Sequence, residues 1–158
     1  MSRCRTDHDC RVGYYYGDPE DPVWFEPPAG VATLTRPEVI WHEATFAQVR
    51  FRIGAGHVSY FFEAKRRRLS PPRADVLAVD MRRLLVAQAD GRAIAVRQMF
   101  AGREVAHLER DWAPGRLEDA ITAIHFDPDT RLTLSYLRGS SREPVTERLS
   151  IPSIPRTK

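Results

Sequence analysis

Apolar and polar residues alternate with a period of two through most of this chain, the pattern of half-buried β-strands. In TFAQVRFRI, residues 45–53, Ala47, Val49, Phe51 and Ile53 share one face, and Gln48, Arg50 and Arg52 share the other. In HVSYFFEA, residues 57–64, the apolar set is Val58, Tyr60, Phe62 and Ala64. A tight turn at Ala55-Gly56 sets Ile53 opposite Val58, Phe51 opposite Tyr60 and Val49 opposite Phe62. On the other face the same register sets Arg50 opposite Phe61 and leaves both toward solvent.

Asp90-Gly91 predicts a second tight hairpin, with Leu85 opposite Val96 and Ala87 opposite Ile94, its first strand reaching back toward Val76. A rival reading takes Ser70 as an N-cap and Pro71 as a first helical residue. It gives a helix near residues 71–82, extending at most to Ala89, with Leu77, Met81, Leu84 and Leu85 on one face. Further turns are expected at Ala101-Gly102 and at Asp127-Pro128-Asp129-Thr130, and PVTERLSI reads as a last strand.

The fold expected is therefore mainly β: an antiparallel meander of about eight to ten strands that hides its edges as a barrel or a sandwich. Residues 1–21 read as a polar N-terminal arm, 22–155 as a single β domain and 156–158 as a C-terminal tail. Trp24, Trp41 and Trp112 are expected in the core or plugging a barrel end.

Composition supports a folded domain: of 158 residues, 42% are hydrophobic and 28% charged. The net charge of +3 permits an acidic partner without requiring one. Lys65 and Lys158 are the only lysines, so the basic residues are almost all arginine. No apolar run is long enough to span a bilayer and no signal segment is visible. These features point to a cytoplasmic protein without a membrane partner; in a reducing cytoplasm Cys4 and Cys10 would be thiols, the alternative being an incidental disulfide between them.

Three groups of residues could carry chemistry. Cys4 and Cys10 flank Asp7, His8 and Asp9, but the spacing is not that of a zinc site and no second cysteine pair exists. No metal and no cofactor are assigned. Lys65, Arg66, Arg67 and Arg68, followed by Arg73, form a basic loop that could touch phosphates. No nucleic-acid-binding motif accompanies it, and a solvated loop is the simpler reading.

The third group depends on register. A tight turn at Ala101-Gly102 would turn His107 and Glu109 toward the apolar side, and a tight turn at Pro128-Asp129 would do the same for His125. With Arg83 and Gln98 they would line a barrel interior suited to acid–base chemistry. One extra loop residue reverses each strand. Val96 then meets Leu108, Phe126 meets Leu132, Ile124 meets Leu134, and His107, Glu109 and His125 face water. Hydrophobic pairing favours this outward register, because an unpaired buried carboxylate is so costly.

The leading expectation is a non-catalytic β-domain that binds a protein partner or a small apolar ligand, with Arg50, Arg52 and Phe61 as the contact residues. The first alternative is a small barrel enzyme using His107 as acid or base, assisted by Glu109 or His125. The second is nucleic-acid contact through Arg66, Arg67 and Arg68.

Overall fold

The computed structural model describes residues 2–6, 8–15, 20 and 22–152; Asp7, Tyr16 and the tail assigned to 156–158 lie outside the described residues. The protein is mainly β, with every strand pairing antiparallel and the sheets open, so no barrel closes among the described residues. Among the described residues fifteen strands form rather than eight to ten, because several very short ones escape a period-two count. The chain divides into two compact units, residues 1–74 and 75–158.

In the first unit, β1 (Ser2–Thr6), β2 (Asp9–Tyr14) and β3 (Val23–Trp24) make one sheet. A second sheet runs in the order β4 (Glu38–Glu43), β5 (Phe46–Ile53), β6 (Gly56–Glu63) and β7 (Arg68–Leu69), with β8 (Arg73–Ala74) also pairing to β6. The N-terminal segment is thus a hairpin rather than a free polar arm. Its Cys10 and Val12 are buried with Phe25, Leu34, Val49, Phe51, Val58 and Tyr60. Phe51 sits edge-on to both Phe25 and Tyr60, at 5.9 and 5.8 Å between ring centroids. Burying a ring of this kind stabilises the fold by about 1.5–3 kcal/mol.

Cys4 and Cys10 face each other across β1 and β2 and are joined by a disulfide, one of the two states the sequence leaves open. The six-residue separation that looked wrong for zinc is one that a hairpin converts into a directly opposed pair.

The β5–β6 turn sits one residue earlier than expected, at Gly54-Ala55, so Phe51 faces Val58 and Val49 faces Tyr60. A primed hairpin turn needs positive φ at its first central residue, and Gly54 supplies it at +59°. The shift preserves every residue's face but re-pairs the outer one: Arg50 faces Ser59, and Phe61 faces Gln48. Phe61 is fully buried, which corrects its expected exposure. Around it the polar groups are satisfied. Gln48 donates to the Ser59 hydroxyl at 2.8 Å, and the Phe61 N–H donates to the Ser70 hydroxyl at 2.8 Å.

That last bond also explains why no helix forms near residues 71–82. The Ser70 hydroxyl is engaged by Phe61 and by the Pro71 carbonyl, not by a first helical turn. β8 and β9 (Val76–Asp80) occupy the segment instead.

In the second unit β9 pairs with β10 (Leu85–Asp90), which pairs with β11 (Ala93–Gln98), which pairs with β12 (Glu104–Glu109). The β10 strand does not reach back to Val76, because the chain reverses at Met81–Leu84 and sets Asp80 opposite Leu85. The β10–β11 turn falls at Gly91-Arg92, again with the glycine first and at φ +64°, so Ala87 faces Val96. After the single helical turn α1 (Leu117–Ala120), β13 (Ile121–Phe126), β14 (Arg131–Arg138) and β15 (Glu143–Ser150) form the second sheet. Both sheets bury one shared core that includes Leu85, Ile94, Val96, Trp112, Leu132, Leu134 and Tyr136, the arrangement of a sandwich. Among the described residues no helix is long and apolar enough to cross a membrane.

Candidate functional site

The most organised polar cluster lies in the second unit, where the turn after β9 meets the turn between β13 and β14. Asp80 ends β9 and caps the reversal that follows: one carboxylate oxygen accepts the N–H groups of Arg82 and Arg83 at 2.9 and 3.0 Å. Its other oxygen accepts the Arg83 guanidinium. Arg83 reaches across and donates to the Thr130 carbonyl at 2.7 Å, while its guanidinium carbon lies 5.5 Å from the centre of the Phe126 ring. One charged side chain therefore fastens two turns together. Its remaining terminal nitrogen, Nη2, is buried without a hydrogen-bond partner.

These turns border a groove of about 390 Å³. Val79, Met81, Phe126 and Pro128 give it apolar walls, and Asp80, Arg82, Arg83, Asp127 and Thr130 give it polar ones. The charges are largely spoken for. Asp80 is paired with Arg83, and Asp127 with Arg148 at 2.9 Å. Arg82 is exposed, and no carboxylate pairs with its guanidinium among the described residues.

Asp127 is held by the Thr133 hydroxyl at 2.8 Å, by two guanidinium nitrogens of Arg148, and by His125 Nε2 at 3.1 Å. The Thr133 hydrogen bond, then that from Arg148, keeps its carboxyl below the ordinary carboxylate range, against a smaller opposing effect of burial. A carboxyl whose folded pKa is lowered contributes stability that is complete above about pH 4 and is lost as pH falls through the lower folded value. Stability is thus expected to decline in acid, and Asp127→Asn to flatten that decline. Urea midpoints measured from neutral to acid pH check this, and unchanged acid sensitivity in the variant would refute it.

The other sequence-derived candidates are dispersed. The β11–β12 connection runs from Gln98 to Arg103 instead of turning tightly, so Ile94 faces Leu108, Val96 faces Ala106 and Ala95 faces His107. His107 lies 3.4 Å from each of Glu104 and Glu109, with all three side chains substantially exposed. Phe126 faces Leu132 and Ile124 faces Leu134, which leaves His125 on the outer face opposite Thr133. His107, Glu109 and His125 therefore do not converge on an interior; they face outward as apolar pairing favours, although on β11 and β12 Val96 lies opposite Ala106 and not Leu108. They stand on different sheets, His125 beside the groove and His107 on the edge strand β12.

Arg50 reaches Glu38 at 3.4 Å, and Arg52 is exposed. In the basic loop, Arg66 and Arg68 share one carboxylate, Glu63, at 3.3 and 2.5 Å, so one of its four positive charges is offset locally. Arg67 sits in the turn at φ +48°. Among the described residues no group of three His, Cys, Asp or Glu side chains could hold a metal ion.

Two features went unmarked in the sequence reading. One is the Asp80–Arg83 clasp, whose signal is an aspartate ending an apolar strand just before a reversal. The other is the exposure on β4: EVIW reads as a short edge strand or covering loop, but its Val39 and Trp41 remain 51% and 63% exposed, which corrects the expectation of Trp41 in the core or plugging a barrel end. No family model, no curated protein and no solved structure matches the chain.

Proposed function

We propose that this chain is a non-catalytic binding domain whose site is the groove between the Met81–Leu84 and Asp127–Thr130 turns. Its ligand is a small molecule with an apolar body and one acidic group. The Arg83 clasp carries the reading, because it preorganises two turns around a groove of about 390 Å³, within the usual range for small-molecule sites. Phe126, Pro128, Val79 and Met81 would take the apolar body. Among the described residues Arg82 is the one lining cation left without a carboxylate, so it would take the acid. A binding role is also favoured over acid–base catalysis because the two candidate histidines point to solvent from separate sheets.

The test uses 8-anilinonaphthalene-1-sulfonate, an aromatic anion whose fluorescence rises in apolar sites. The folded protein is expected to bind it saturably with one site per chain. Arg82→Glu and Phe126→Ala should each weaken binding by about tenfold or more, equivalent to at least about 1.4 kcal/mol. Both variants must retain the native circular dichroism spectrum. Absence of saturable binding, or binding by both variants as tight as that of the native protein, would remove the proposal.

A further inference from the structure

We propose that β4 pairs antiparallel with β4 of a second copy of this chain, about a twofold axis centred on Ile40. Among the described residues β4 is an edge strand whose paired neighbour is β5 alone. Val39 and Trp41 lie opposite Val49 and Ala47 and so continue the face that buries Phe51 and Tyr60, yet both stay mostly exposed. Three of the other sheet ends carry familiar protection. β12 carries Glu104, His107 and Glu109, β15 carries Glu143, Glu147 and Arg148, and β7 spans two residues. β4 also carries Glu38, His42 and Glu43, yet its six residues leave Val39 and Trp41 exposed side by side on one face.

The sequence of β4 selects the partner and the alignment. A twofold axis normal to the sheet leaves each side chain on its own face, so directly opposed residues must share a face. Centring the axis on Ile40 places Val39 opposite Trp41 and Glu38 opposite His42, apolar with apolar and acid with imidazole. Centring it on Trp41 instead opposes Val39 to Glu43 and Ile40 to His42, mixing apolar with polar at each pair. Cross-strand pairs of the first kind stabilise a sheet, and those of the second do not. The strand is therefore complementary to itself in one register. Val39 and Trp41 from both copies then form a continuous apolar strip.

Such an interface is small, and dimerisation in the micromolar range is the corresponding affinity. Sedimentation of the full chain from about 1 µM to about 1 mM should show the mass rising from monomer to dimer. Trp41→Lys should weaken association about tenfold or more, and Val39→Lys supplies an independent check should the first variant fold poorly. The register is read by crosslinking. The chain's two cysteines are bonded to each other, so Ile40→Cys introduces a lone thiol, and mild oxidation should give a covalent dimer. Trp41→Cys should crosslink far less. A monomer at every concentration overturns the proposal and leaves the edge to a segment of another protein. A dimer unaffected by both lysine variants, or one that crosslinks better through residue 41, overturns it equally.

Discussion

Asp80→Ala is expected to destabilise the protein by about 3 kcal/mol or more. The Asp80 carboxylate is 8% exposed and accepts from two backbone N–H groups and from the Arg83 guanidinium. Its removal strands a largely buried cation and opens the cap of the Met81–Leu84 reversal. Asp80→Asn retains an oxygen for the two N–H groups but loses the charge and replaces the oxygen that accepts from Arg83 with an NH2 donor. It should therefore cost about 1–2 kcal/mol. The order of the two variants matters as much as the size. Urea unfolding followed by far-ultraviolet circular dichroism measures both. An alanine variant within about 0.5 kcal/mol of the native protein, the range of an unremarkable surface change, would show that the clasp contributes little. Arg83 also forms part of the groove, so either variant should weaken anilinonaphthalene sulfonate binding while the protein remains folded.

The faces of the strands were legible in the sequence because parity is robust. Moving a two-residue turn by one position re-pairs every residue but leaves each on its own side. Val49, Phe51, Val58 and Tyr60 accordingly share a core although both turn positions were one residue off. The outward placement of His125 was legible too, because the pairs Phe126–Leu132 and Ile124–Leu134 follow directly from matching apolar residues.

What could not be read is which faces are covered. Period two says that Phe61 points away from Phe51; it does not say that the second face of β5 and β6 is also buried, as it is at Gln48, Ser59 and Phe61. The same pattern places Trp41 on the core face of β4 and cannot show that the core stops short of it. Reversals without glycine were equally hidden. The Met81–Leu84 turn puts Leu84 at φ +56°, a conformation nothing in its residue type announces. The groove borders that turn, so the candidate site was obscured by the least legible part of the backbone.

Trp112→Ala should destabilise the protein by about 3–5 kcal/mol, the usual range for removing a buried large aromatic side chain. Trp112 packs edge-on to Tyr136 at 4.9 Å between centroids, within the core shared by both sheets of the second unit. Its indole N–H donates to the Arg92 carbonyl at 2.5 Å. The Arg92 guanidinium in turn donates to the carbonyls of Trp112, Ala113 and Gly115. The β10–β11 turn and the segment preceding α1 thus satisfy each other's backbone groups, and the indole is the apolar centre of that exchange. Trp112→Phe separates the two contributions. It retains most of the apolar contact and loses the indole donor, so about 1–2 kcal/mol is expected from the stranded carbonyl and the smaller ring. Hydrogen exchange localises the effect. The amides of β11 should lose protection in Trp112→Ala, and those of β5 should change less, because β5 belongs to the other compact unit. If the phenylalanine variant proved as unstable as the alanine one, the hydrogen bond to Arg92, rather than the packing against Tyr136, would be the dominant contribution of this residue.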